Sequence, residues 1–239
     1  MKTNKLKILI GGLLYLLASF CSQAQLTSSR LKDYLDVGVA VGSNGYMASL
    51  QFNEYLKLNK TNILQLGWGL RAAHNIANDL NFTSAPSRLA SQIATTDTLQ
   101  MERATVTSLN FSLAVQVSLF ERLALGISTD VLGLAIGSRR TGYYLGSNGF
   151  RSDSLNVHRT NQAAAPATGA VQLFGNQQRG NLNSEVYARV RVSTNFGIKV
   201  GYIFAVNEYK TNNTLLDDNR RFRARYNLLY VGVSILLAN

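Results

Sequence analysis

Residues 108–119 read Ser108-Leu109-Asn110-Phe111-Ser112-Leu113-Ala114-Val115-Gln116-Val117-Ser118-Leu119. Leu109, Phe111, Leu113, Val115, Val117 and Leu119 share one parity, and Ser108, Asn110, Ser112, Ala114, Gln116 and Ser118 share the other. Period two sends successive side chains to opposite faces of an extended chain, so this stretch predicts a strand with one apolar face. Its length satisfies the roughly 9–11 residues that a tilted strand needs to cross a bilayer.

The alternation spreads outward from there. On the C-terminal side, Leu123, Leu125, Ile127, Thr129 and Val131 oppose Ala124, Gly126, Ser128 and Asp130. On the N-terminal side, Leu64, Leu66, Trp68 and Leu70 oppose Gln65, Gly67, Gly69 and Arg71. Further along, Val186, Ala188, Val190 and Val192 oppose Glu185, Tyr187, Arg189, Arg191 and Ser193. Ile198, Val200, Tyr202, Phe204 and Val206 oppose Lys199, Gly201, Ile203 and Asn207. The last strand sets Leu229, Val231, Val233, Ile235 and Leu237 around Gly232 and Ser234, with a bulge expected where Tyr226 and Leu228 fall off parity. In the first, Leu35, Val37, Val39 and Val41 oppose Asp36, Gly38, Ala40 and Gly42. Asn44-Gly45 follows and predicts a two-residue hairpin. That turn sets Val41 opposite Ala48, Val39 opposite Leu50 and Val37 opposite Phe52, with Asp36 opposite Asn53. Glu54 breaks the apolar face, so it marks either the membrane edge or a bulge.

The prediction is an all-β, eight-stranded antiparallel up-and-down barrel. Tight connections are expected at Asn59-Lys60-Thr61, Phe120-Glu121-Arg122 and Thr194-Asn195-Phe196, and long ones at 74–103, 137–183 and 210–222. Short turns on one rim and long loops on the other are the asymmetry of outer-membrane barrels. The polar run Asn161 to Gly180 holds little apolar surface, so its middle is expected to be mobile.

Lys2, Lys5 and Lys7 precede an apolar run from Ile8 to Phe20 and the small-residue site Ser22-Gln23-Ala24. This is the layout of a signal peptide over residues 1–24, cleaved after Ala24, with the barrel domain at 25–239. Bulky Phe20 before Cys21 argues against a lipoprotein. Losing three lysines from 24 basic residues leaves 21 against 13 acidic ones, and the only cysteine is lost as well. Stability then rests on packing and hydrogen bonds rather than disulfides. A basic exported chain fits anionic lipid or polysaccharide better than nucleic acid.

Asp36, Arg71, Asp130, Glu185, Arg189, Arg191 and Lys199 all lie opposite the Val/Leu/Phe face. In a membrane barrel that puts them in the lumen, and an Arg or Lys in mid-bilayer would cost about 2–4 kcal/mol; in a soluble lipocalin-type barrel they would face water, so charge parity alone does not choose between the two. The Gly, Ala, Ser, Asn and Gln that dominate the same face would make a poor exterior for a soluble barrel, and with the signal peptide and the loop asymmetry they favour the membrane reading. The apolar face is then expected to point to lipid, with Trp68, Phe111, Tyr202 and Phe204 on it. Tyr55, Phe120 and Phe196 are candidates for the inner aromatic girdle. The seven charges form an expected lumen network, the acids bridging the bases.

In strand count and alternation the mature chain resembles the small OmpA/OmpX-like eight-stranded outer-membrane barrels. That resemblance implies location in the cell outer membrane and insertion by the barrel-assembly machinery. It departs from them at its end, Leu236-Leu237-Ala238-Asn239, where they usually carry a terminal aromatic.

Candidate chemistry is sparse. His74 with Asp79 and His158 with Ser154 are the imaginable catalytic pairs, and neither sits in a motif that demands catalysis. No metal-ligand spacing, cofactor loop or nucleotide motif occurs. Arg139, Arg140, Arg220, Arg221, Arg223 and Arg225 are expected to ring the outer rim and face lipopolysaccharide phosphates. The expected function is non-enzymatic: an envelope-structural or surface-binding barrel whose loops meet an extracellular ligand. A lipid-modifying hydrolase or acyltransferase and a transport or secretion-accessory barrel are the alternatives.

Overall fold

The computed structural model describes residues 31–58, 63–85, 87–90, 95–120, 122–147, 157–173 and 177–238. The expected signal peptide, its Ala24 cleavage site and Ser154 lie outside them. Eleven strands form, in chain order β1 Leu31–Gly42, β2 Gly45–Lys57, β3 Leu64–Ser84, β4 Thr98–Ser118, β5 Leu123–Ile136, β6 Arg140–Leu145, β7 Thr160–Pro166, β8 Gly169–Val171, β9 Leu182–Arg191, β10 Phe196–Thr211 and β11 Arg221–Ala238. The eight predicted strands are β1 to β5 and β9 to β11. They pair in the order β1-β2-β3-β4-β5-β9-β10-β11, and β11 pairs back with β1. Closure leaves no unpaired edge, the condition for a sheet to span lipid.

The register fixes the barrel's shape. Across the ring, Leu31 pairs with Leu56, Leu56 with Leu66, Leu66 with Val115 and Val115 with Ile127. Ile127 then pairs with Val186, Val186 with Tyr202, Tyr202 with Leu229 and Leu229 with Val41. The path returns to β1 at Val41, ten positions from Leu31. For eight strands that stagger gives a tilt of about 41° and a backbone radius of about 8 Å. Every residue on the path is apolar and faces outward, so the line traces the lipid-facing wall. No helix among the described residues is long and apolar enough to cross a membrane; the strands do the crossing.

Three local expectations change. The β1–β2 turn is Ser43-Asn44, not Asn44-Gly45: Gly42 pairs with Gly45, Val41 with Tyr46, Val37 with Leu50 and Asp36 with Gln51. None of these turn residues has the positive φ that a type I′ turn requires. Gly45 is instead an in-sheet residue, where a Cβ would meet the Tyr226 ring at 2.9 Å. The expected bulge near Tyr226 and Leu228 is absent, since β10–β11 pairing runs unbroken from Phe196↔Ile235 to Lys210↔Arg221. Those two side chains point inward because the upper lumen is apolar. A bulge falls instead at Val131, between the pairs Phe111↔Leu132 and Ser112↔Asp130. It puts Leu132, Leu134 and Ile136 on the outer face. Glu54 needs no bulge; it pairs with Asp33 and Trp68 at the lower edge.

β3 and β4 have 21 residues each, about twice what a bilayer crossing needs. Above the short β1–β2 hairpin, β11 pairs directly with β3 through Phe222↔Ser84 and Arg223↔Thr83. β4 passes from β5 to β6, β6 pairs with β7, and β7 pairs with β10. The result is a second closed ring of six strands, β3-β4-β6-β7-β10-β11, stacked on the ring of eight. The segment expected to be a long loop at 74–103 is therefore mostly strand, whereas 210–222 is strand only at its two ends and remains a connection. The run Asn161 to Gly180 likewise contributes β7 and β8, held by pairing with β6, β10 and β5 rather than by its own burial.

Between the rings the inner face changes sign. In β3 the buried parity is odd up to Ala77 and even from Phe82; in β4 it shifts between Met101 and Ala104. Asp79 takes φ 50 at the flip. Below it the lumen is polar. Above it Phe82, Leu99, Met101, Tyr144, Tyr209 and Phe222 fill the inside, under Leu215 and Leu216. Phe82 meets the Tyr209 ring edge-on at 5.4 Å, and Tyr144 meets Phe222 at 6.0 Å. Asp97 is tied in by the Tyr144 hydroxyl at 2.7 Å. Burial and that carboxylate push the Tyr144 phenol up.

Candidate functional site

The lower lumen holds an alternating chain of six charges from five strands. Asp130 (β5) meets Arg71 Nη1 (β3) at 3.1 Å, and Arg71 Nη2 meets Glu185 (β9) at 3.1 Å. Glu185 meets Lys199 Nζ (β10) at 2.9 Å, and Lys199 meets Asp36 (β1) at 3.2 Å. Asp36 closes the line against Arg189 Nη2 (β9) at 2.9 Å. Three cations face three anions, so the buried set is neutral. Low permittivity strengthens each contact, yet desolvation makes every unmatched charge in such a chain expensive.

Neutral side chains complete it. Asp36 accepts from Ser234 Oγ and from Asn53 Nδ2 at 3.2 Å. Asp130 accepts from Asn110 Nδ2 at 2.7 Å and from the Asn183 backbone at 2.9 Å. Gln51 Oε1 accepts from both Arg71 and Lys199 at 3.3 Å. These amides share the inward parity of the charges but were not singled out in the sequence, which shows parity and not partners.

Below the charges lies a tyrosine layer. The Arg189 guanidinium stacks 4.0 Å from the Tyr34 ring centre and donates to Gln116 Oε1 at 2.6 Å. Tyr55 and Tyr187 share a hydrogen bond of 2.8 Å across the lumen. Tyr55 is thus an interior residue and not part of the girdle, whereas Phe120 and Phe196 are exposed at the short turns as expected. A Cβ on Gly67 would sit 2.6 Å from the Tyr55 ring, so glycine there is what lets the tyrosine lie flat against the wall. Arg191 makes none of the ion pairs found among the described residues. It lies half-buried at the short-turn mouth, one inward position below Arg189.

No protein-family model matches the chain, and no curated protein matches it. Solved structures similar to it are membrane barrels. The outer membrane protein Ail of Yersinia pestis matches at 9% identity and TM-score 0.40, over 86% of this chain and 99% of that one. Neisserial surface protein A matches at 12% identity and TM-score 0.36, over 86% and 94%. The outer membrane protease OmpT of Escherichia coli matches at 9% identity and TM-score 0.32, over 87% and 94%. At this distance no residue role transfers. This chain's own ring, stagger and apolar wall make it a small β-barrel of the outer-membrane type.

The rim arginines separate into two groups. Arg221 grips Glu208 through Nε at 2.7 Å and Nη2 at 2.8 Å, and Arg223 reaches the same carboxylate at 3.4 Å. Arg223 also donates to the Gln178 carbonyl, under the segment around β8 that crosses the outer wall. Both lie on the outer wall, but Arg223 is covered by that segment and the partly exposed Arg221 is engaged by Glu208. Glu208 lies on the outward parity, so its burial under a neighbouring segment left no mark in the alternation. Arg139, Arg220 and Arg225 are exposed, and Arg140 is half-buried with Nη2 on Thr105 Oγ1 at 3.2 Å.

His74 sits on the outer face, where Nδ1 bonds Thr107 Oγ1 at 2.8 Å across the β3–β4 pair. The expected partner Asp79 lies at the flip between the rings and is not the group found on His74. His158 Nδ1 accepts from the Gly146 backbone at 3.2 Å, which uses it as a loop fastener. Among the described residues no cluster of three or more His, Cys, Asp or Glu is arranged to hold a metal ion.

Proposed function

We propose that the chain is a non-enzymatic outer-membrane protein: a plugged barrel that holds a rigid extracellular platform for envelope integrity and surface binding. The observation that supports this reading best is the continuous filling of the interior. A neutral ion-pair chain closes the lower lumen, and an apolar core closes the six-stranded ring above it. An interior filled in this way argues against a solute channel, and the upper ring is closed by backbone pairing among the described strands.

Two measurements test it together. Purified barrel reconstituted in a planar bilayer is expected to stay electrically silent; regular single-channel steps would sink the plugged reading. His74→Ala combined with His158→Ala is expected to leave phospholipid and lipid A profiles unchanged. A lost lipid product would move the assignment to a lipid-modifying enzyme.

The exposed rim set Arg139, Arg220 and Arg225 supplies the surface contact, to lipopolysaccharide phosphates by charge-assisted pairing. Changing all three to Gln is expected to lower co-purifying lipopolysaccharide severalfold and leave heat-dependent electrophoretic mobility intact. An unchanged lipopolysaccharide content would remove the rim from the proposal.

A further inference from the structure

The segment around β8 overhangs a hollow in the outer wall. It is pinned where Arg223 donates to the Gln178 carbonyl and where the Asn181 Oδ1 accepts from the Glu208 backbone N–H at 3.0 Å. Two positions nearer the bilayer on the same outward faces, Val206 of β10 pairs with Arg225 of β11 and with Leu182 of β9. The next outward row is Ser184, Phe204 and Asn227, again in register. These two rows and the overhanging Gln172 and Gln178 line a pocket of about 270 Å³.

The pocket continues downward. Ser184 and Phe204 also head a trough of about 390 Å³ on the outer wall, with Thr129, Val186, Ile127 and Leu113 along it. A further hollow extends it past Ala188, Leu125 and Val200. In register, the larger Ile127 and Tyr202 flank Val186, and Leu125 and Val200 flank Ala188, so β9 is the floor. From Ser184 to Ala188 that floor spans about 13 Å. This is one leaflet's share of an apolar band about 25 Å tall.

The two ends differ in chemistry. Along the trough the side chains are apolar apart from Thr129 and Ser184, which bond each other at 2.8 Å. At the top, the exposed Arg225 shares the pocket with the amides of Gln172, Gln178 and Asn227. Glu208, the carboxylate two positions along β10 from the Arg225 partner, already accepts from Arg221 and Arg223. Phe174-Gly175-Asn176, which lie outside the described residues of the same stretch, include no acid. A guanidinium has five N–H donors, so Arg225 can serve the chain and a phosphate oxygen together.

We propose that pocket and trough together seat one lipopolysaccharide molecule, with a lipid A phosphate at Arg225 and one acyl chain along β9. This rests on the lipopolysaccharide contact proposed for the rim and adds what a charged rim lacks: a single place, a stoichiometry and an apolar half. The amides suit the sugar hydroxyls beside the phosphate. The chain gains apolar contact on three sides of the trough. The polar end lies toward the long loops, so a lipid of the outer leaflet enters head-up.

The test uses the whole barrel refolded in uncharged detergent, with purified lipid A added and bound lipid counted by native mass spectrometry. Wild type is expected to hold one tightly bound lipid A. Ala188→Phe, which fills the trough and alters no charge, and Arg225→Gln are each expected to weaken it roughly tenfold. Ala48→Phe makes the same change at an exposed site on β2, four strands away in the ring of eight, and is expected to change nothing. Arg139→Gln with Arg220→Gln is likewise expected to spare this site. Heat-shifted mobility confirms that each variant is folded. Loss with the Arg139 and Arg220 pair but not with Ala188→Phe keeps the rim contact and overturns the trough. A wild type that binds no lipid A overturns both. Equal affinity for phosphatidylglycerol overturns the assignment to lipopolysaccharide.

Discussion

Arg71→Met is expected to destabilise the barrel by about 3–5 kcal/mol, the typical cost of removing one partner from a buried ionic set. Arg71 is 1% exposed and joins Asp130 to Glu185; without it, Asp130 keeps only neutral donors from Asn110 and Asn183. Glu185 still has Lys199, so the stranded charge is Asp130. Adding Asp130→Asn to Arg71→Met leaves Glu185, Lys199, Asp36 and Arg189 as a balanced remainder. The double variant is therefore expected to recover most of the loss, a strongly favourable coupling for two contacting groups. Urea midpoints in liposomes or detergent supply the four corners of the cycle. A single variant within about 0.5 kcal/mol of wild type would show that water, not Arg71, compensates Asp130.

The same network shows how far the amino-acid sequence is legible. Six of the seven charges predicted for the lumen do meet there, because inward parity in a closed ring of about 8 Å radius leaves them nowhere else to go. Arg191 has the right parity and the wrong depth, and parity carries no depth. The hairpin register failed for a related reason. Moving the turn from Asn44-Gly45 to Ser43-Asn44 slides the strands by two residues, and a slide of two returns every side chain to its own face. Alternation is blind to that error; only the close approach of Tyr226 to Gly45 separates the alternatives.

The six-stranded ring was hidden more deeply. Its added strands are short and built from residues such as Thr160, Ala163, Ala164 and Gly142, which give no apolar alternation. β3 and β4 also switch inward parity on entering it, so a period-two pattern followed upward from Leu109 breaks at Glu102 and Arg103. Both effects follow from the change of solvent. In the bilayer the outer wall must be apolar and the narrow lumen can be polar; above the bilayer water wets the outside, and the apolar residues turn in.

That inversion makes the two rings separable. Phe222→Ala is expected to remove about 3–5 kcal/mol from the upper ring, the usual range for deleting a buried phenyl group. Phe222 is fully buried against Tyr144, and its strand pairs with Ser84 on one side and Tyr209 on the other. The side chains that fix the lower ring lie elsewhere: the ion-pair chain, the Tyr55–Tyr187 contact and the outward wall facing lipid. Local opening of the upper ring is then the cheaper response to the cavity. The expected signature is trypsin cleavage near Arg103 or Arg220 in a protein that still shows heat-shifted mobility at ordinary temperature. Loss of the shifted band at the same point as protease resistance would mean that the rings fold as one cooperative unit. Full protease resistance would mean that the ring of backbone pairs, and not its aromatic filling, holds the platform closed.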